Sequence, residues 1–235
     1  MHRHRFPRPL VLLLLLLGLL PAGIVAAAGA AAQPATQPEP LLVLNYHDVR
    51  DDVAPHGDPD QYAISTQNFV AHLDWLNAQG YHPVSLQQVI DASAGRARLP
   101  SKPVLLTFDD GLRSVYSKVF PLLRAYNYPA LVAVITAWVD LPQGQTVQFS
   151  RPMGHDDFVT WEQLREMQAS GLVEIASHTD DLHHGLLSNP QGNQRPAAVT
   201  LLYNAADGKY EDEKAYRARI RADLASSRDK IKQHL

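Results

Sequence analysis

Two short stretches of this chain hold the residue types from which a metal-assisted hydrolytic site can be built. Thr107-Phe108-Asp109-Asp110-Gly111 sets two adjacent carboxylates at the end of an apolar run, and Ser177-His178-Thr179-Asp180-Asp181-Leu182-His183-His184 supplies imidazoles after another. One carboxylate and two neutral imidazoles make a three-point site for zinc or another first-row divalent ion, with positions left open for water and substrate. Successive side chains on a strand point to opposite faces, so Asp109 and Asp110 converge on one ion only where the strand dissolves into its loop. Gly111 permits that bend. One carboxylate then binds the ion while the other serves as base towards a water whose pKa falls to ~7 on zinc. His178 and His183 would stand about 140° apart around an α-helix, so a turn must join them. Asp180, Asp181 and Gly185 suit such a turn, and on residue type alone His184 competes with His183 as ligand.

Other residues carry weaker signals. His47 follows a strand-like run and is a candidate pocket residue, although a histidine there often serves only as a hydrogen-bonded core group. His155-Asp156-Asp157 lies in a polar loop without a third partner and reads as a solvated turn. Trp138 and Trp161 both offer a face to a sugar ring. Trp161 falls in the first turn of a helix, where packing is the better reading; for Trp138 stacking and packing stay open.

The elements that must position these groups alternate two periodicities. Apolar runs at Leu41–Tyr46, Tyr81–Val84, Val104–Phe108, Ala130–Thr136 and Leu172–Ser177 predict strands. Between them, Phe69, Val70, Leu73 and Leu76 recur at helical spacing, as do Val115, Val119, Leu122 and Leu123. Ser85 with Gln88, and Thr160 with Gln163, predict capping boxes. The segment from Ala137 to Asp157 reads as a long loop, and Glu211 to Leu235 as a charged helix. Strands this apolar, alternating with helices, predict parallel pairing with cover on both faces. A (β/α) barrel is favoured, because His47, Asp109-Asp110 and His178 follow three strand ends and barrels collect their ligands there. Five strands do not close an eight-stranded barrel of ~250 residues, so the barrel is expected to be incomplete at the C-terminus. A five-stranded doubly wound sheet is the alternative.

The N-terminal part has a different character. A basic start, the apolar run Leu10 to Leu20 and the small residues Ala26 to Ala32 predict a signal peptide over 1–32, with residues 33–40 as a proline-rich tether and 41–235 as the domain. The uninterrupted apolar stretch falls below the ~18 residues of a spanning helix, so a periplasmic or secreted protein without stable membrane insertion is expected. There is no cysteine, which excludes disulfides, a thiol nucleophile and lipid attachment through cysteine. A net charge of -3 without a basic stripe argues against nucleic acid.

TFDDG followed by SHTDDLHHG resembles the polysaccharide deacetylase family of metal-dependent carbohydrate esterases. LNYHDV, PLLRAYNYPA and SNPQGNQRPA extend that resemblance, from about Leu41 to the C-terminus, to the branch acting on poly-β-1,6-N-acetyl-D-glucosamine during biofilm polymer export. The resemblance implies Asp109 as general base, Asp110, His178 and His183 as metal ligands, and His47 in the pocket. It also implies a divalent ion (Zn, Ni, Co or Fe), an N-acetylglucosamine polysaccharide as substrate and the exopolysaccharide export machinery as partner. Water deprotonated by Asp109 would attack the N-acetyl carbonyl while the ion and a backbone N–H hold the oxyanion. The donor to the leaving amine stays open between Asp109 and His47, or a group outside this chain. A carbohydrate-binding remnant without turnover, and a deacetylase of chitin-like or peptidoglycan polymers, are the rival readings. A 2-His-1-carboxylate oxygenase is disfavoured, because that chemistry expects a jelly roll of short strands.

Overall fold

The computed structural model describes residues 40–235, apart from Pro55, Gly57 and Ser150. The expected signal peptide and nearly all of the tether lie outside the described residues. Among those described, no helix is long and apolar enough to cross a membrane.

Five parallel strands form the central sheet: β1 (Leu42–Tyr46), β2 (His82–Pro83), β3 (Pro103–Phe108), β4 (Ala130–Val134) and β5 (Val173–Ser177). Their order is β1-β3-β4-β5, with β2 paired to the start of β3. Every residue of β3 is buried, as its unbroken apolar run requires of a strand covered on both faces. Helix α1 (Thr66–Ala78) starts where the Ser65 hydroxyl accepts from the Asn68 N–H at 3.1 Å. Helices α2 (Leu86–Ser93) and α5 (Trp161–Ala169) begin at the expected capping boxes, in which the N-cap hydroxyl and the third-position glutamine satisfy each other's free N–H. A π-helical turn, Val115–Val119, leads into α3 (Phe120–Tyr126), which ends at Asn127 in the left-handed region. The core joins Phe69, Leu73 and Leu76 of α1 to Phe108, Val119, Leu123, Leu164 and Met167. Each such side chain contributes about 1.5–3 kcal/mol through burial.

Register explains why the motifs meet. Tyr46 pairs with Phe108, and Val134 with Ser177, so the ends are level within each pair, and Phe108 pairs with Val132, which sets the second pair two residues further on. The ladder continues one residue further, with Asp109 N–H donating to Tyr46 O and His178 N–H to Val134 O. His47, Asp109 and His178 therefore leave the sheet at one edge.

The parallel α/β organisation agrees with the sequence, whereas among the described residues the strands form an open sheet and do not close on themselves. After β5 the chain forms antiparallel ribbons, Gly185–Leu187 with Gln194–Pro196 and Tyr203–Asn204 with Lys209–Tyr210, before α6 (Glu213–His234). That stretch lacks the continuous apolar run that a strand buried on both faces needs. Two further segments differ in detail. The fourth strand ends at Val134, and the long loop that follows holds a short helix, α4 (Thr136–Val139), a ribbon of Thr146–Gln148 with Pro152–Gly154, and a 3-10 turn at His155–Asp157. Leu112, Ile135, Trp138, Leu141, Met153 and Phe158 make a second apolar cluster in this region.

Candidate metal centre

Asp110 is fully buried, and among the described residues neither carboxylate oxygen has a hydrogen-bond partner. Its backbone adopts φ 72°, and Gly111 follows at φ 78°. Two successive left-handed residues turn the chain sharply at the strand end, which is how adjacent aspartates escape the alternation of a strand. A Cβ on Gly111 would stand 3.0 Å from Val134 Cγ1, so the second of these positions needs glycine for space as well as conformation.

Asp110 Oδ1 lies 3.5 Å from His178 Nε2 and 3.6 Å from His183 Nε2, and the three residues bring one donor atom each within 4.8 Å of one another. Two donors bound at ~2.1 Å to one tetrahedral ion stand about 3.4 Å apart. The donor set therefore fits a divalent cation. Burial lifts the Asp110 carboxyl to about 6, partly offset by the nearby His47 and His178 and reinforced by Asp109. An uncompensated buried carboxylate of this kind is what a cation would satisfy. Burial also lowers the pKa of His183, which favours the neutral imidazole that ligation requires.

Asp109 faces a different environment. Asn45 Nδ2 donates to its Oδ2 at 2.8 Å, and Thr107 Oγ1 donates to Asn45 Oδ1 at 2.7 Å. His47 Nε2 stands 3.9 Å from the same Oδ2. All five of the singled-out residues thus gather at one sheet edge. Asn45 and Thr107 were not singled out from the sequence; their signal was a polar residue on each of two neighbouring apolar strands.

The site opens into a cavity of about 740 Å³, with His47, Tyr62 and Phe149 on its wall and Gln194, Arg195 and Pro196 from the Gly185–Pro196 ribbon also lining it. Tyr62 is exposed, with its ring 5.0 Å from that of His47 and 5.6 Å from that of Phe149. Trp138 is only 4% exposed and packs its ring 5.2 Å from His183 and 5.1 Å from Phe158; it backs His183 and presents no face to a sugar. Trp161 stacks on His234 and donates to Asp140, in keeping with packing. His155 bonds to Leu141 O and Asp157 to Arg151 and the Gly154 N–H, so that triplet builds its own turn. The His184 side chain belongs to the cavity lining but not to the three-donor group.

The family profile described as polysaccharide deacetylase matches residues 96–235. The poly-β-1,6-N-acetyl-D-glucosamine N-deacetylase of Escherichia coli K12 is 39% identical over 193 residues, which cover 80% of this chain and 28% of that protein. The chain thus spans under a third of that relative's length. Among solved structures, the BpsB deacetylase domain of Bordetella bronchiseptica is 50% identical with a TM-score of 0.74, over 84% of this chain and 78% of that one. A de-N-acetylase from Aggregatibacter actinomycetemcomitans is 43% identical with a TM-score of 0.76, over 83% and 75% respectively.

Proposed function

This chain belongs to the polysaccharide deacetylase family, and we propose that it removes N-acetyl groups from poly-β-1,6-N-acetyl-D-glucosamine. The observation that carries the reading is the buried carboxylate of Asp110, without a hydrogen-bond partner, facing two imidazoles at 3.5 and 3.6 Å. Asp110, His178 and His183 are the ligands of a divalent ion, and an O/N/N set accepts Zn, Ni, Co or Fe. When bound, the ion supplies Lewis acidity at the acetamide carbonyl and acidifies water.

The remaining steps belong to the protein. Asp109, held by Asn45, takes a proton from the water that attacks the acetamide carbon, and a new C–O bond forms. The C–N bond then breaks, giving acetate and a free amine on the sugar. Asp109 and His47, 3.9 Å apart, are the groups beside the site that can return a proton to the leaving nitrogen. The cavity wall of Tyr62 and Phe149 offers aromatic surface to the sugar, and the open groove suits a polymer.

The open sheet is read as part of a (β/α) barrel, since the site residues leave the C-terminal ends of β1, β3 and β5, where barrels place their chemistry. The export signal read in residues 1–32 and the substrate of the E. coli relative favour an exported, periplasmic enzyme working beside the polymer's export machinery. The test is acetate release from a soluble β-1,6-linked N-acetylglucosamine oligomer, with chelation, metal restoration and a β-1,4-linked oligomer as control. Release that stops on chelation and returns with metal supports the reading; no release under any metal sinks it, and preference for the β-1,4 oligomer would overturn the proposed substrate.

A further inference from the structure

Helix α6 meets the histidine-bearing loop with a polar face. Asp223, Ser226, Ser227 and Lys230 recur at three- and four-residue spacing and so share one side of the helix. Asp223 Oδ1 accepts the Asp180 N–H at 2.9 Å, and its Oδ2 accepts the Asp181 N–H at 2.7 Å. Asp180, two residues beyond His178, is held in turn: its Oδ1 accepts from Lys230 Nζ at 2.8 Å and Thr136 Oγ1 at 2.6 Å, and its Oδ2 from Ser226 Oγ at 2.7 Å. Ser227, fully buried, meets the Ser177 hydroxyl at 2.7 Å. Lys230 also bridges to Asp140 at the end of α4.

Every backbone N–H from His178 to Leu182 has a partner. His178 donates to Val134 O, Thr179 to Ser177 Oγ and Leu182 to Thr179 Oγ1, while Asp180 and Asp181 donate to Asp223. Thr179 sits at φ 85°, a conformation that a β-branched residue adopts only when its surroundings impose it. A helix that merely covers the sheet would present an apolar stripe. Here Ile231 and Leu235 pack against the main core, and the turns before them contact the loop through hydrogen bonds and charge.

We propose that α6, acting through Asp223, Ser226 and Lys230, positions the metal centre by holding residues 178–183 in the conformation that turns His178 and His183 towards Asp110. None of the three touches substrate or ion in this scheme; they act through the loop. The inference rests on the metal-ligand reading above, and goes beyond it by assigning a role to the final helix.

The test uses the full chain with Asp223→Ala, Asp223→Asn and Lys230→Met, and Ile231→Ala as a packing control on the same helix. Cobalt titration followed by its d–d absorption, and zinc affinity by chelator competition, are read beside urea denaturation of the metal-stripped proteins. Asp223→Ala is expected to lose about 10- to 100-fold in affinity and to change the cobalt spectrum. Asp223→Asn, which keeps one acceptor oxygen, should fall between it and the parent and stands in for it if the alanine variant does not fold. Ile231→Ala should lower stability with the cobalt spectrum unchanged. If the parent binds metal and both Asp223 variants match its affinity and spectrum, or if Ile231→Ala alters the spectrum as they do, α6 is only cover and the proposal falls. A parent that binds no metal overturns the ligand reading itself.

Discussion

The side-chain amide of Asn45 donates to Asp109 Oδ2 at 2.8 Å, while Thr107 fixes the other end of that amide at 2.7 Å. A residue of β1 therefore aims the carboxylate that leaves the end of β3, and the aiming group is itself oriented by a hydroxyl from β3. An ionised carboxylate only accepts, so the Asn45 nitrogen faces Asp109 and its oxygen is left for the Thr107 hydroxyl.

Asn45→Ala is expected to lower kcat about 10- to 100-fold with little change in KM, because displacing a reacting group by a fraction of a bond length costs rate more than binding. Thr107→Val should follow in the same direction with a smaller effect. Steady-state acetate release over a range of oligomer concentrations separates kcat from KM, and a rise in KM alone would remove Asn45 from this role.

His178→Ala and His183→Ala are each expected to abolish stoichiometric metal binding, whereas His184→Ala should retain it. The three-donor group includes His183 and leaves out His184. Metal content after gel filtration, read beside activity, decides between the neighbours; loss of metal from the His184 variant would reassign the ligand.

In the metal-stripped protein, Asp110 carries a pKa of about 6, above its ordinary 3.8, chiefly because burial disfavours its charge. The native state thus binds this proton more tightly than the unfolded chain. Its stabilising contribution is full below about pH 4 and is lost as pH rises through 6. Asp110→Asn stays neutral throughout, so relative to the parent it should gain about 1–3 kcal/mol between pH 4.5 and pH 8. Urea denaturation of both proteins under chelation measures this, and parallel pH profiles would refute it.

Gly111→Ala is expected to destabilise the fold by about 1–3 kcal/mol, since alanine is disfavoured at positive φ. Its methyl would also press on Val134 Cγ1 at 3.0 Å. Denaturation midpoints report the first effect. A parallel loss of metal affinity would report that the turn carrying Asp110 has moved.

The two stretches TFDDG and SHTDDLHHG were legible in the sequence because few residue types ligate a metal and both follow apolar strand runs, whereas the choice of Asp110 and His183 over their neighbours came from the family resemblance. The capped starts of α2 and α5 were legible for a similar reason, both being decided within four residues. Asn45 was not: within LVLNYHD it reads as the polar half of an alternating strand, and its partners lie across the sheet on β3. Trp138 stayed open between stacking and packing, because burial depends on what surrounds it, including His183 and Phe158, which come from distant segments. The face of α6 was hidden likewise, since a charged helix displays its periodicity but not which groups it meets. Sheet closure depends on pairings between strands far apart in sequence, which local periodicity does not encode.

The separation of Asp110, just past the end of β3, from the two histidines, in the loop after β5, with β4 between those strands, has a thermodynamic consequence. An unfolded chain can offer a metal local groups such as His178, Asp180, Asp181, His183 and His184, but not the three-donor arrangement with the buried Asp110. On the proposed ligand reading, an ion held by the complete set would favour the native state over the denatured one, so metal should raise the unfolding temperature, less whatever the unfolded histidines bind. Tight metal occupancy would then report correctly folded molecules before any substrate is added.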